Sequence, residues 1–241
     1  MSAPGSSAAP ARAPRPTPLQ RVLQVFLVLS LPVLWLAVGV RLVATPAFLW
    51  LEYHRPGFPA DPWGMGLNER MTFGSYGLDY IMNLAPPEYL GGLVSPEGGL
   101  AFTPSEVSHM TDVQHVMQWG LLLAAVLLVL SALAGWYLHR TAPGTASAAW
   151  FWGAWLTVAL LVVAAATALL GWEQFFTAFH SLFFSSGTWT FSVTDTLIRL
   201  YPTQFWMDAA GTIAVITVCG SVLAAVLAQR ARSGRPGRRR A

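Results

Sequence analysis

Four long apolar runs recur along the chain, separated by polar segments of unequal length. The runs cover residues 22–40, 119–138, 148–170 and 209–228. A helix of about 20 residues rises ~1.5 Å per residue and crosses a hydrocarbon core of ~30 Å. Because every backbone polar group inside a bilayer must be bonded within the protein, each run predicts a transmembrane helix. The pattern therefore predicts an all-α membrane protein with four transmembrane helices.

Two of the polar segments are long, covering residues 52–112 and 173–208. The first is rich in Gly and Pro, and the second mixes polar residues with aromatic ones. We expect both to form short helices and loops in a cap outside the membrane. Thr103, Pro104 and Glu106 have the spacing of a capping box with Pro at the first helical position, so a helix should begin there.

The two ends of the chain differ from the part between them. Residues 1–20 are dominated by Ala, Pro, Ser and Gly and predict a disordered arm. Residues 229–241 hold six arginines and predict a basic, solvated tail next to the membrane. Residues 21–228 form the predicted four-span domain. Its first apolar run is too long for a signal-peptide core, and no small-x-small cleavage site follows it.

The distribution of charge predicts the orientation in the membrane. All 14 basic residues are Arg, and ten lie in or beside the N-terminal arm, at Arg140 or in the tail. Four spans place these regions on one side, so the positive-inside rule predicts cytoplasmic termini in a bacterial cytoplasmic membrane. All 11 acidic residues lie in the two long polar segments or at their edges. We therefore expect any active site on the extracytoplasmic face.

Composition and missing motifs exclude several classes of protein. Only 10% of the residues are charged, against ~25% in soluble domains. The net charge of +3 comes from arginines at the chain ends, so no nucleic-acid partner is predicted. Cys219 is the single cysteine and excludes an intramolecular disulfide. There is no phosphate-binding loop, nucleophile elbow or His-Glu-x-x-His pair, and we predict no metal and no cofactor. The scarcity of charges within the spans disfavours a transporter.

Two histidines are candidates for chemistry. His109 and Asp112 lie one helical turn apart, so the carboxylate can orient the imidazole as a base. The alternative is a surface hydrogen bond near the helix start. His180 is surrounded in sequence by four phenylalanines, Phe176, Phe179, Phe183 and Phe184. Such surroundings lower a histidine pKa from ~6.5 and keep the ring neutral and able to accept a proton. The alternative is a core histidine bonded to a backbone carbonyl.

A second polar and aromatic set follows His180. Asp195 and Arg199 have the i, i+4 spacing of a helical ion pair. Arg199 can instead bind a carbonyl or a phosphate group. Trp189 and Tyr201 are predicted to anchor the chain at the membrane interface, with the wall of a lipid-binding groove as the alternative.

Two motifs resemble a known family. Residues 109–113 read HMxDV, and residues 179–205 contain FHxxFF, WxF, an aspartate and LIRLYPxxF in that order. These motifs and the four-span layout resemble the bacterial integral-membrane family that includes lipoprotein intramolecular transacylase. The resemblance covers roughly residues 20–228 and leaves out the two tails.

The resemblance implies an enzyme that acts on diacylglyceryl lipoproteins at the outer face of the membrane. It would move the sn-2 acyl chain from glycerol to the α-amine of the lipoprotein's first cysteine, giving the lyso-form. The resemblance makes His109 and His180 the catalytic pair, and we expect supporting roles for Asp112, Trp189, Asp195, Arg199 and Tyr201. The expected partners are lipoproteins and membrane lipid. The competing hypotheses are a non-catalytic lipid-binding or assembly protein with an aromatic outer cap, and an enzyme for another acylated lipid.

Overall fold

The computed structural model describes residues 16–233, and the regular elements in this range are helices joined by loops. Within it there is no strand, and the single isolated bridge joins Val94 to Leu100. The helices are α1 (Pro18–Val43), α2 (Pro46–His54), α3 (Leu67–Met82), α4 (Glu88–Gly91), α5 (Pro104–Thr141), α6 (Thr145–Leu170), α7 (Trp172–Phe183), α8 (Thr196–Leu200) and α9 (Thr203–Ser233).

Four of these helices, α1, α5, α6 and α9, are long and apolar enough to cross a membrane. Each contains one of the four predicted spans, so the predicted number of spanning helices is confirmed. They pack together with α1 against α5, α6 and α9. Small residues permit the close contacts: a Cβ on Gly153 would lie 3.1 Å from the Leu31 Cβ. Close packing at small residues is the usual way in which helices associate in lipid, where apolar burial provides no drive.

The ends of the bundle differ in detail from the prediction. Helix α1 begins at Pro18 because the Thr17 side chain accepts a hydrogen bond from the Gln20 amide, and the Gln20 side chain accepts one from the Thr17 amide. Residues 18–20 therefore belong to the first helix and not to the predicted disordered arm. Helix α9 continues to Ser233, into the predicted tail. Residues 1–15 and 234–241, which make up most of the two predicted tails, lie outside the described residues.

The connecting helices α2, α3, α4 and α8 form a cap with its own core. The first turns of α5 and α9 complete it. The core contains fully buried Leu49, Tyr80, Leu90, Phe102 and Leu200. Both long polar segments of the sequence contribute to this one core, so they fold against each other.

Glu106 joins the two outer segments by hydrogen bonds. Its carboxylate closes the predicted capping box, because Oε2 accepts hydrogen bonds from the Thr103 amide at 2.7 Å and hydroxyl at 2.9 Å. Its other oxygen accepts a hydrogen bond from the Leu197 amide, in the first turn of α8, at 2.7 Å. One buried side chain therefore caps α5 and holds α8 against it. His109 follows one turn later.

Candidate active site

The structure brings His109 and His180 together. His109 lies in the second turn of α5, and His180 lies near the end of α7. Their ring centroids are 6.3 Å apart and the rings are nearly parallel, at 27°. Each residue is only 8% exposed. Two titratable rings that are 71 positions apart in the sequence therefore lie side by side and are shielded from solvent.

An aromatic cage surrounds the two imidazoles. It consists of Phe176, Phe184, Trp189 and Phe191. The Phe184 ring lies 4.9 Å from His109 and 5.8 Å from His180, so it contacts both. Phe191 lies 5.5 Å from His109, while Phe176 and Trp189 lie 4.0 Å and 5.0 Å from His180. The apolar surroundings predicted for His180 are present.

Not every phenylalanine predicted around His180 contacts it. Phe179 does so with its ring edge, at 5.5 Å between centroids. Phe183 packs on Phe179 and Phe184 instead. Phe179, Leu182 and Phe183 form the exposed apolar face of α7. Helix α7 therefore directs His180 towards His109 and leaves its apolar residues exposed on the other side.

The hydrogen bond of His180 assigns its tautomer. Nδ1 lies 2.9 Å from the carbonyl oxygen of Phe176, one turn earlier in α7. Because a carbonyl only accepts hydrogen bonds, Nδ1 must carry the proton, which leaves a lone pair on Nε2. Burial lowers the pKa of His180 below its usual value, and the Phe176 carbonyl opposes this effect. His180 is thus both a histidine bonded to the backbone and a neutral ring with a free acceptor.

His109 lies outside the spanning part of α5. This helix has 38 residues and is about 57 Å long, so it extends well beyond a ~30 Å hydrocarbon core. The apolar part begins at Trp119, and His109 lies in the polar turns before it. Burial lowers the pKa of His109 to about 4, and the nearby His180 adds to the effect. Its Nδ1 atom is buried and has no hydrogen-bond partner among the described residues.

Asp112 does not orient His109. Its side chain is exposed, and no hydrogen bond joins it to the imidazole in the described part of the chain. The carboxylate acts only through space, where it opposes the lowering of the His109 pKa. The His109 ring faces α7 while Asp112 faces outward, so the predicted orienting pair is not formed.

The predicted ion pair between Asp195 and Arg199 is wrong. Asp195 precedes the first turn of α8, and its Oδ2 accepts a hydrogen bond from the Ser192 amide at 2.8 Å. Arg199 instead binds Asp61, with Nε 3.2 Å from Oδ1 and a terminal nitrogen 2.9 Å from Oδ2. The Asp61 side chain is fully buried in this contact. The i, i+4 backbone spacing is present, since the Arg199 amide bonds to the Asp195 carbonyl at 3.1 Å, but both side chains are engaged with other partners.

Tyr201 is not an anchor at the membrane interface, while the anchor role of Trp189 stays a prediction. Tyr201 is buried in the cap core, and its hydroxyl donates a hydrogen bond to the Gly74 carbonyl at 2.6 Å. The chain needs Gly at position 77 for this contact, because a Cβ there would lie 2.6 Å from the same hydroxyl. Trp189 is half-buried against His180, and its Nε1 atom is buried without a partner among the described residues.

Two contacts near the site could not be predicted from the sequence. Asp61 holds Arg199, but nothing in the sequence marks it, since 138 positions separate the two. Glu106 was recognised as a helix cap, while its bond to α8 needs the folded chain. Within residues 16–233, no three His, Cys, Asp or Glu side chains are grouped closely enough to hold a metal ion.

Comparisons with known proteins identify the family of this chain. Residues 25–206, which include both histidines, match the family model described as lipoprotein intramolecular transacylase Lit. An uncharacterised protein of Aquifex aeolicus (strain VF5) is 28% identical over 205 residues, covering 85% of this chain and 92% of the relative.

The fold of this chain is also similar to solved structures of a Lit protein. A structure of the membrane-integral lipoprotein intramolecular transacylase Lit from Bacillus cereus, carrying a mutation of one histidine to arginine, has a TM-score of 0.71 at 20% identity. It covers 89% of this chain and 92% of that chain. A second structure of the Bacillus cereus protein has a TM-score of 0.66 and covers 89% and 96%. Because the family match extends over most of its length, this chain belongs to the Lit family of multi-pass membrane proteins.

Proposed function

We propose that this protein is a lipoprotein intramolecular transacylase. Its substrate is a diacylglyceryl lipoprotein, and it moves the sn-2 acyl chain to the α-amine of the N-terminal cysteine. The product is the lyso-form lipoprotein. Family membership supports the class of reaction. The observation that carries the proposal is the pair of buried imidazoles, His109 and His180, held 6.3 Å apart inside the aromatic cage.

The first step needs a base for the attacking amine. As the amine nitrogen bonds to the ester carbonyl carbon, it releases a proton, which Nε2 of His180 accepts. General-base assistance of this kind contributes ~10²–10⁴-fold in rate. In the second step the bond between the carbonyl carbon and the sn-2 oxygen breaks. His180 returns the proton to the glycerol oxygen, so no co-reactant is consumed.

His180 suits the role of base better than His109 does. A catalytic base works best when its pKa is near the operating pH. Burial lowers the pKa of both rings, but the Phe176 carbonyl opposes this effect at His180. The pKa of His109 falls to about 4, so this ring stays neutral. We assign His109 to hydrogen bonding with the substrate and His180 to proton transfer.

The aromatic cage suits the other need of the reaction, which is positioning. Both reacting groups belong to one substrate molecule, so the enzyme mainly has to fold that molecule into an attack geometry. Positioning can supply ~7–11 kcal/mol of a reaction barrier. The exposed apolar face of α7, with Phe179, Leu182 and Phe183, gives acyl chains a route from the lipid to His180. No covalent acyl-enzyme is required.

The orientation of the site is part of the proposal. We place both termini in the cytoplasm and the cap, with both histidines, on the extracytoplasmic side. The basis is the excess of arginine near the chain ends and at Arg140. Diacylglyceryl lipoproteins would then reach the cap from the outer leaflet.

The exposed apolar face of α7 also favours a second candidate, a non-catalytic lipid-binding or assembly protein. The two candidates respond differently to mutation. A lipid-binding protein depends on Phe183 and Leu182 and tolerates His180→Gln. A transacylase loses its activity with His180→Gln while its fold is retained.

Mass spectrometry of N-terminal lipopeptides tests the proposal. The host should make only diacylglyceryl lipoproteins, and it is compared with and without the gene for this protein. We expect lyso-form peptides only when the gene is present, and none with His109→Ala or His180→Ala at equal protein levels. Lipopeptides that remain diacylglyceryl in the presence of the wild-type protein would rule the proposed function out.

A further inference from the structure

An ester under attack needs a hydrogen-bond donor for its oxygen. When the amine adds to the carbonyl carbon, negative charge develops on the carbonyl oxygen, and a fixed donor there lowers the barrier. Arg199 and Tyr201 are polar donors in the second outer segment, but neither is free. Arg199 binds Asp61 with two nitrogens. The Tyr201 hydroxyl already donates its hydrogen bond to the Gly74 carbonyl inside the cap core.

Trp189 has the free donor that Arg199 and Tyr201 lack. Its ring lies 5.0 Å from the His180 ring, at 33°, within the aromatic cage. The indole Nε1–H can only donate, and in residues 16–233 it finds no acceptor although it is buried. A buried polar group without a partner is destabilising and is uncommon in native proteins. A donor that is kept dry and unpaired next to a proposed base calls for a functional reason.

Most other unpaired buried polar atoms in the described chain do not lie beside the aromatic cage. Trp35, Ser131 and Ser221 lie in the spanning helices, and the Arg70 side chain stacks on Tyr53 in the cap. The two remaining unpaired atoms, Trp189 Nε1 and His109 Nδ1, both belong to residues at the cage. One is a donor and the other is a ring nitrogen of a neutral imidazole. The substrate offers a matching pair, an ester oxygen that accepts and an amine that donates.

We propose that Trp189 is a further catalytic residue, whose indole N–H donates to the ester oxygen as that oxygen becomes negatively charged. The assignment rests on the proposed transacylase function. As the carbon–nitrogen bond forms, the carbonyl π pair moves onto oxygen and the amine proton goes to His180. The indole keeps its own proton throughout. When the carbonyl re-forms, the bond to the sn-2 oxygen breaks and the proton passes from His180 to that oxygen.

The position of Nε1 also has a consequence for binding. The atom is shielded from solvent in the substrate-free protein. The incoming ester must therefore displace one of the rings that cover it. The donor then meets the substrate without having to lose a bound water, which is the condition under which such donors are most effective.

Trp189→Phe tests the assignment because it keeps an aromatic ring and removes the N–H. With purified protein in detergent micelles and a synthetic diacylglyceryl lipopeptide, we expect kcat to fall about 100- to 1000-fold, as when a single oxyanion donor is removed. KM should stay within about twofold, since the bond forms mainly in the transition state. Trp152→Phe is the matched control: Trp152 is exposed on α6, and its variant should keep the wild-type kcat.

A second variant removes the donor without changing the volume of the ring. Site-specific replacement of Trp189 by β-(3-benzothienyl)alanine exchanges only the N–H for sulfur. The same loss of kcat in this variant supports the assignment even if Trp189→Phe folds poorly. A wild-type kcat in the benzothienyl variant overturns it and leaves the proposed function intact. Failure of the wild-type protein to transfer the acyl chain, by contrast, overturns both.

Discussion

At the scale of single residues, the environment of each histidine decides what it can do. His109 and His180 share the aromatic cage, and burial lowers the pKa of both. Their hydrogen bonds differ, because His180 donates from Nδ1 to Phe176 while Nδ1 of His109 has no partner in the described chain. One ring is therefore fixed in a single tautomer and the other is held by packing alone. This difference is the physical basis for giving them different roles.

The low pKa of His109 predicts how stability depends on pH. An unfolded histidine binds a proton below about pH 6.5, whereas the folded protein keeps His109 neutral down to about pH 4. Stability is therefore unaffected by this group above about pH 7 and falls as the pH decreases from about 6.5 towards 4. The lowered pKa of His180 acts in the same direction. The charge of Asp112 opposes the lowering of the His109 pKa.

Thermal unfolding in detergent at pH 7 and pH 5 checks this prediction. The decrease in Tm should be smaller in His109→Gln than in the wild type. His115→Gln is the control, because His115 is exposed on the same helix, and its Tm should decrease as the wild type's does. An equal decrease in the wild type and in His109→Gln would contradict the link between burial of this ring and acid sensitivity.

At the scale of helices, the sequence predicted the features that depend on neighbouring residues. It did not predict the contacts between residues far apart in the chain. The spans and the start of α5 depend on neighbouring residues, so hydropathy and a capping box predicted them. The apolar surroundings of His180 were also local, since Phe176 and Phe184 lie within one turn. The pairing of Arg199 with Asp61 and the burial of Tyr201 depend on how the two outer segments dock. Nothing in the sequence reports that docking, so Asp195 and Tyr201 were assigned the wrong contacts.

Glu106 is the residue on which this docking most depends, and its replacement by Gln tests that role. The amide nitrogen of Gln would face an N–H donor at one of the two sites where Glu106 now accepts. We expect a loss of about 2–3 kcal/mol in the free energy of unfolding, since a buried donor is left unpaired. Glu88→Gln, at an exposed position in α4, should cost far less. Equal stability of the two variants in urea unfolding would show that Glu106 does not hold α8.

At the scale of the whole molecule, four helices hold one cap at one end of the bundle. The histidines come from different outer segments and meet only because α7 lies beside the first turns of α5. The proposed orientation can be read with cysteine labelling in a Cys219→Ala background. A membrane-impermeant maleimide added outside should react with Ser186→Cys, after α7, and should spare Ser233→Cys, at the end of α9, until the membrane is broken. The opposite pattern would place the cap in the cytoplasm.

Acyl transfer by the purified protein tests the central claim most directly. A synthetic diacylglyceryl lipopeptide carries an isotope label only in its sn-2 acyl chain, and mass spectrometry follows the label. The wild-type protein should move the label to the N-terminal amine, and His109→Ala and His180→Ala should each be at least about 100-fold slower while remaining folded. Label that stays on glycerol with the wild type, or that moves at the wild-type rate in both variants, would contradict a transacylase built on this pair of histidines.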